Sequence, residues 1–251
     1  MPTQKLCDII ERQKLTEDIW SLRLNAGELA RSALPGQFVH IKCGDGLLLR
    51  RPISICDAEG DTLRIVFQAR GAGTRWLAER TEGDRLDVLG PLGRGFQVPE
   101  AGEILLVGGG IGTAPMVFTA RRTPGRVRAA LGFRTGSGVI LAGELERAGV
   151  PTAVATEDGS VGTPGRVDAL VRERLSAETY AAVLACGPTP MLRAAAQAAR
   201  EAGVPCQVSL EERMGCGIGV CLTCSCGVSG HYLRVCKDGP VFDAEEVDWD
   251  A

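Results

Sequence analysis

The chain has 251 residues, 45% hydrophobic and 24% charged, which suits a globular protein of one large domain or two small ones. Lys and Arg number 28 against 31 Asp and Glu, a net charge of −3, so no general electrostatic pull toward nucleic acid or a membrane is expected. His40 and His231 are the only histidines, which excludes HExxH zinc sites and most histidine-built metal centres, and no GxxxxGK[ST] phosphate loop occurs.

Residues 1–20 lack the basic, apolar and small-residue segments of a secretory signal. No run approaches the ~18 consecutive apolar residues of a membrane span. A cytoplasmic setting is therefore expected, where ten cysteines point to metal or redox chemistry rather than a disulfide framework.

Up to about residue 98, short β-rich segments at 37–43, 52–56, 62–69 and 85–89 are separated by turn residues such as Gly44, Gly60 and Gly83. Only 74–79 reads as helix, and strands at this spacing predict an antiparallel barrel. The character changes at Glu103. The apolar run 104–107 is that of a buried parallel strand entering Gly108, Gly109 and Gly110. A helix from about Ala114, strands 127–133 and 152–156, a helix 164–175, a strand 181–186, a helix 190–202 and a strand 206–210 then follow. Thr163-Pro164 and Thr189-Pro190 read as capping hydroxyls before a first-turn proline, and Gly203 as a left-handed cap. This alternation predicts an α/β doubly wound parallel sheet. The last 40 residues hold five cysteines and no helical period, and 243–251 reads as a solvated acidic tail.

Cys216, Cys221, Cys224 and Cys236 give C-x4-C-x2-C-x11-C, whose first two intervals match the plant-type spacing for a [2Fe–2S] cluster. Gly215, Gly217 and Gly219 allow the tight loop that such a cluster needs. Structural zinc, buried free thiols and a thioredoxin-like pair at Cys221 and Cys224 remain as alternatives. Zinc normally takes two separated knuckles, and only one arm here fits. The thioredoxin pair would need a preceding strand and a following helix that the pattern lacks. Cys226 is a fifth thiol nearby, while Cys7, Cys43, Cys56 and Cys206 read as small core hydrophobes.

Residues 108–115 (GGGIGTAP) lie between an apolar strand and a helix, where bare glycines and free N–H groups suit a dinucleotide pyrophosphate. The stretch is not the G-x-G-x-x-G fingerprint, because Pro115 stands at its last position, and a ligand-free βα turn is the bland alternative. Cys186-Gly187-Pro188 ends another strand of the same sheet, at the edge where such sheets bind ligands. In the first half, Arg51-Pro52-Ile53-Ser54 begins a barrel strand. Gly73-Thr74 opens the helix, a second possible anion contact.

On RPISI at 51–55, GGGIGTAP, CGP, ERMGCGIG at 212–219 and RVCKDGPVF at 234–242, the chain resembles the ferredoxin-NADP reductase superfamily over residues 1 to about 210. Over its full length it resembles the electron-transfer subunits of type B, NAD-dependent dihydroorotate dehydrogenases. The resemblance implies an FAD-binding β-barrel domain at 1–100, an NAD-binding α/β domain at 101–210 and a small [2Fe–2S] loop domain at 211–251. It places FAD on Arg51, Pro52, Ile53, Ser54, Val66, Phe67, Gln68, Gly73 and Thr74, with Ile53 where many relatives carry a flavin-stacking Tyr. It places NAD on Gly109, Gly110, Gly112, Thr113, Pro115, Cys186, Gly187 and Pro188, and the cluster on Cys216, Cys221, Cys224 and Cys236.

The implied role is passage of electrons from the FMN of a TIM-barrel catalytic partner through the cluster and FAD to NAD+ in pyrimidine (UMP) biosynthesis. A two-plus-two heterotetramer is the implied assembly. A flavin is required between the two ends, because nicotinamide exchanges hydride and a cluster exchanges single electrons. Glu157 and Asp158 favour ribose hydroxyls and Arg134 a 2′-phosphate; the resemblance favours NAD. The alternatives are an FAD/[2Fe–2S] subunit of a ferredoxin-linked or sulfur-reducing complex, an iron–sulfur redox sensor without flavin, and a zinc-stabilised interaction module.

Overall fold

The computed structural model describes residues 2–250; Met1 and Ala251, at the ends of the opening segment and the acidic tail, lie outside them. Six strands close an antiparallel barrel: β1 (Thr3–Lys14), β2 (Ile19–Asn25), β3 (Phe38–Ile41), β4 (Arg51–Glu59), β5 (Thr62–Gln68) and β6 (Arg85–Leu92). Their order is β1-β2-β5-β4-β3-β6. Along β6 every second residue is buried, the alternation expected when one face fills the barrel and the other meets solvent. Two short helices, α1 (Glu28–Arg31) and α2 (Ala72–Ala78), attach to the barrel.

The second half is a seven-stranded sheet built from β7 (Glu103–Gly109), β8 (Arg126–Phe133), β9 (Thr152–Thr156), β10 (Thr163–Pro164), β11 (Ala182–Cys186), β12 (Cys206–Ser209) and β15 (Val241–Asp243). The order is β10-β9-β8-β7-β11-β12-β15, parallel except for β15. The central β7 and β11 are buried almost throughout, as strands covered on both faces must be. Helices α3 (Ala114–Arg122) and α4 (Ala142–Arg147) cover the face toward the barrel, and α5 (Val167–Ala177) and α6 (Thr189–Glu201) cover the other. Between β12 and β15 runs the cysteine segment with its hairpin, β13 (Ser225–Val228) and β14 (His231–Arg234).

The two halves share apolar packing. Phe118 of α3 lies in the barrel's core cluster, and Ile19, Cys56 and Val66 join that of the sheet. Two ionic links cross the same boundary. Arg64 on β5 donates to both Glu144 carboxylate oxygens at 2.6 and 2.9 Å, and Arg121 on α3 pairs with Asp57 and Glu59 on β4. Arg64 is only 5% exposed and Glu144 31%, so the pair is partly shielded from screening.

Several local expectations need correction. Residues 164–175 do not begin a helix: Thr163 and Pro164 pair with Ala155 and Thr156 as an edge strand, and α5 starts at Val167. A proline that cannot donate is tolerated on a sheet edge. Thr189 lies inside α6, whose N-cap is Pro188 with no side-chain bond. The tail is anchored rather than free: Arg193 pairs with Asp250 at 2.7 Å, and Trp249 Nε1 donates to the Ala244 carbonyl at 3.2 Å. Strands β1, β2 and β15 and helices α1 and α4 are additions to the sequence reading. Gly203, at φ +68°, closes α6 as expected.

Candidate functional site

The barrel strand β4, the C-terminal edge of the parallel sheet and the start of the cysteine segment enclose one cavity of about 410 Å³. Arg51, Pro52, Ile53 and Ser54 line it from β4, Val66, Phe67 and Gln68 from β5, and Thr74 from α2; Gly112 and Cys186 face it from the sheet. Eight of the nine residues expected at a flavin thus share one space with two, Gly112 and Cys186, of the eight expected at a nicotinamide.

Gly73 is the exception among the flavin candidates. The space its Cβ would take is filled by Arg51, with Arg51 Cγ at 2.9 Å, so this glycine serves to seat the arginine. Arg51 donates to the carbonyls of Leu49 and Arg50, which fixes the root of its guanidinium beside the cavity. Thr74 Oγ1 accepts from the Arg70 and Gly71 amides at 3.0 and 3.1 Å and closes the first turn of α2.

The glycine loop and the CGP segment lock together. A Cβ on Gly112 would lie against the Cys186 carbonyl oxygen, 2.6 Å from its carbon and 2.7 Å from Gly187 Cα. A Cβ on Gly109 would run into Met191 and Pro188, and one on Gly187 would lie 2.6 Å from Met191 Cε. These glycines allow close approach of protein to protein. Gly110, at φ +53° with open space around it, is the one in the loop that leaves backbone bare. Thr113 and Pro115 are buried at the start of α3, and the Thr113 hydroxyl has no partner. Pro188 is the N-cap of α6.

At the far ends of β8 and β9, the Asp158 amide donates to the Arg134 carbonyl at 3.2 Å. The Asp158 carboxylate accepts from the Ser160 hydroxyl and amide, which lowers its pKa. Glu157 and Arg134 are exposed.

Four of the five cysteines of the C-terminal segment stand in two pairs. The Cys221 and Cys216 thiols neighbour one another, as do those of Cys236 and Cys224. Amides of Ile218, Val220 and Cys221 point at Cys216 Sγ at 3.5, 3.3 and 3.4 Å; Gly219 N–H points at Cys236 Sγ at 3.1 Å, and Cys236 N–H at Cys224 Sγ at 3.4 Å. Among the described residues, no three His, Cys, Asp or Glu side chains converge on a single metal ion. Two pairs ringed by amide donors instead fit a two-iron cluster, which takes two thiolates per iron. Hydrogen bonds from Thr223 bring the Cys221 thiol down to about 6. For Cys216, burial raises the pKa, and the Cys221, Ile218 and Val220 amides outweigh it. Cys226 on β13 packs against the hydrophobic cluster that holds Cys224 and Cys236, its thiol raised to about 11 chiefly by burial. Cys7, Cys43, Cys56 and Cys206 are buried as expected.

Ile111 of the 108–115 loop also lines the cavity, as do Phe38, Arg70, Gly71, Ser209, Leu210, Glu211, Glu212, Met214 and Pro240, which were not among the expected site residues. Residues 209 and 210 end the expected strand 206–210 and 211–214 open the expected [2Fe–2S] domain; among them only 212–214 carried a further signal, as part of the ERMGCGIG block.

Residues 211–248 match the model of the iron–sulfur cluster binding domain of dihydroorotate dehydrogenase B. The chain is 43% identical over 253 residues to the electron transfer subunit of dihydroorotate dehydrogenase B (NAD(+)) from Geobacillus thermodenitrificans, covering 95% of this chain and 96% of that protein. It is 45% identical over 235 residues to the corresponding subunit from Bacillus velezensis, covering 88% and 90%. Among solved structures, a chain of the NADH-dependent reduced ferredoxin-NADP oxidoreductase superposes with a TM-score of 0.90 at 34% identity, over 98% of this chain and 91% of that one. The ferredoxin reductase of carbazole 1,9a-dioxygenase, at 23% identity and a TM-score of 0.68 over 81% and 67%, shares the fold. With its barrel, sheet and paired cysteines, the chain belongs to the family of electron transfer subunits of NAD-linked dihydroorotate dehydrogenase B, oxidoreductase subunits of flavin, [2Fe–2S] and NAD chemistry.

Proposed function

We propose that this chain moves electrons from a dihydroorotate-oxidising partner to NAD+, using FAD held in the cavity and a [2Fe–2S] cluster held by Cys216, Cys221, Cys224 and Cys236. The observation that carries the reading is the single cavity on which the β4 strand, Gly112 and Cys186, and residues 209–214 leading into the cysteine loop converge. A bound flavin supplies exchange of hydride with nicotinamide and of single electrons with a cluster. Ile53, Val66 and Phe67 wall the space with apolar surface and exclude water, while Arg51 offers a cation to an anionic phosphate. Gly110 leaves bare backbone for the dinucleotide, and the Gly112–Cys186 contact fixes the sheet edge on which it would lie.

Dihydroorotate chemistry belongs to the partner, read as an FMN-containing TIM barrel in a two-plus-two heterotetramer serving pyrimidine biosynthesis in the cytoplasm. Ile218, Val220 and Leu222 on the cysteine loop are exposed apolar side chains, which supports docking of that partner over the cluster. Among the described residues, no helix is long and apolar enough to cross a membrane.

The 0.90 superposition on the ferredoxin-NADP oxidoreductase chain favours one second reading, a subunit of a ferredoxin-linked complex. Isolation of the intact complex separates the two. Dihydroorotate-dependent NADH formation by the complex, absent from this chain alone, is expected; turnover of dihydroorotate by this chain alone, or a complex that reduces NAD+ only from ferredoxin, would overturn the proposal.

A further inference from the structure

His40 sits where the flavin barrel touches the cysteine loop. It is fully buried on β3 between the apolar Val39 and Ile41, opposite Pro52 of the cavity-lining β4. Its backbone carbonyl is held by Arg50, whose guanidinium also pairs with Asp87 at 2.8 Å. In either charge state the imidazole carries at least one N–H donor.

The Nδ1 corner of the ring abuts Gly217. A Cβ there would be 2.5 Å from His40 Nδ1 and 3.2 Å from Cγ and Cε1, and Gly217 has φ +72°. Glycine is needed twice, for the left-handed backbone and for the space. The carbonyls of Cys216 and Arg50 are the ring's hydrogen-bonding neighbours, although neither ring nitrogen completes a bond of full geometry. An imidazole in an apolar strand with so few partners is a poor core filler, since a buried polar group without a full bond costs stability. Its placement is explained by the peptide of Cys216 and Gly217.

That peptide starts the turn whose Ile218, Val220 and Cys221 amides converge on Cys216 Sγ. Hydrogen bonds to cluster sulfurs stabilise the reduced form and so set its potential. We propose that His40 is a positioning residue: through its N–H and its close packing on Gly217 it holds the cluster loop in register with the flavin strand, and so sets the potential of the cluster. The proposal rests on the ligand assignment above.

The test uses the full chain, purified anaerobically, with iron and flavin contents measured and the cluster titrated by EPR-monitored redox titration. His40→Leu keeps apolar bulk and loses the donor; His40→Gln keeps a donor. His40→Leu is expected to keep its iron and flavin but show a tenfold lower ratio of reduced to oxidised cluster at fixed ambient potential, about 59 mV for one electron. His40→Gln should stay close to the unaltered chain. His40→Met, a second apolar replacement without the donor, should shift the potential in the same direction and decides if His40→Leu does not fold. An unshifted cluster in the variants that fold would overturn the role of His40. A chain with flavin but no iron signal before any substitution would instead overturn the ligand assignment.

Discussion

Gly112→Ala isolates the contact between the two loops of the sheet edge. Gly112 is not among the residues of positive φ, so an alanine there suffers no backbone strain and its effect is one of space. Its new methyl would meet the Cys186 carbonyl, with the carbon at 2.6 Å and Gly187 Cα at 2.7 Å. Carbon–carbon contacts settle near 3.5–4.0 Å, so the ends of β7 and β11 must part by about 1 Å. Both partners are backbone, and no side chain can swing aside. Overpacking of this kind costs about 1–3 kcal/mol, and at about 2–4 °C per kcal/mol the melting temperature should fall by roughly 2–12 °C. The displaced edge is where the dinucleotide is proposed to lie, so flavin reduction by NADH should slow at least tenfold while photochemical reduction is unchanged. Thermal unfolding and stopped-flow absorbance at the flavin band check both. A variant that melts with the unaltered chain and reduces at the same rate would refute the packing argument.

Glu144→Ala leaves the Arg64 guanidinium, 5% exposed, with Ser21 as its remaining side-chain partner. Because Glu144 itself is 31% exposed and water can enter, a loss of about 2–3 kcal/mol is expected, less than for a wholly buried pair, and urea denaturation measures it. Arg64→Met with Glu144→Leu should cost less than either single change. Cys56, Cys186 and Cys206 are raised by burial from 9.0 to about 12. Unfolded thiols therefore ionise above pH 9 while the folded ones hold their protons. Their contribution is full below pH 9 and is lost between pH 9 and about 12, visible as a falling urea midpoint; a flat midpoint across that range would contradict it. Cys226→Ser should retain full iron content, whereas Cys224→Ser should lose most of it, as read by iron per chain and EPR.

Much of the architecture was legible because period and punctuation agree with tertiary burial. The run 104–107 is apolar on both faces since β7 is central, and the alternation of 85–89 reflects a barrel wall. Strand β1 escaped notice because only Cys7 and Ile9 of its twelve residues are buried, so no alternation marks it. Thr163-Pro164 misled because a hydroxyl before a proline suits a helix start and an edge strand equally. Strand β15 is three residues long and exists only by pairing with β12, which no local pattern records. The cysteine loop was readable from its spacing. The glycine loop was readable as a place, but its glycines face Met191, Pro188 and Cys186, a reason visible only once β7 and β11 lie side by side. The contribution of 209–214 to the cavity likewise depends on contacts between segments distant in sequence.

The proposed electron path requires one chain to join a nicotinamide site, a flavin site and a two-iron site. The decisive measurement is visible absorption of the anaerobically purified chain, before and after addition of NADH. Flavin bands over a broad iron–sulfur absorption, both bleached by NADH, are expected. Flavin bands that bleach with no iron present, or a colourless protein containing zinc, would contradict that path.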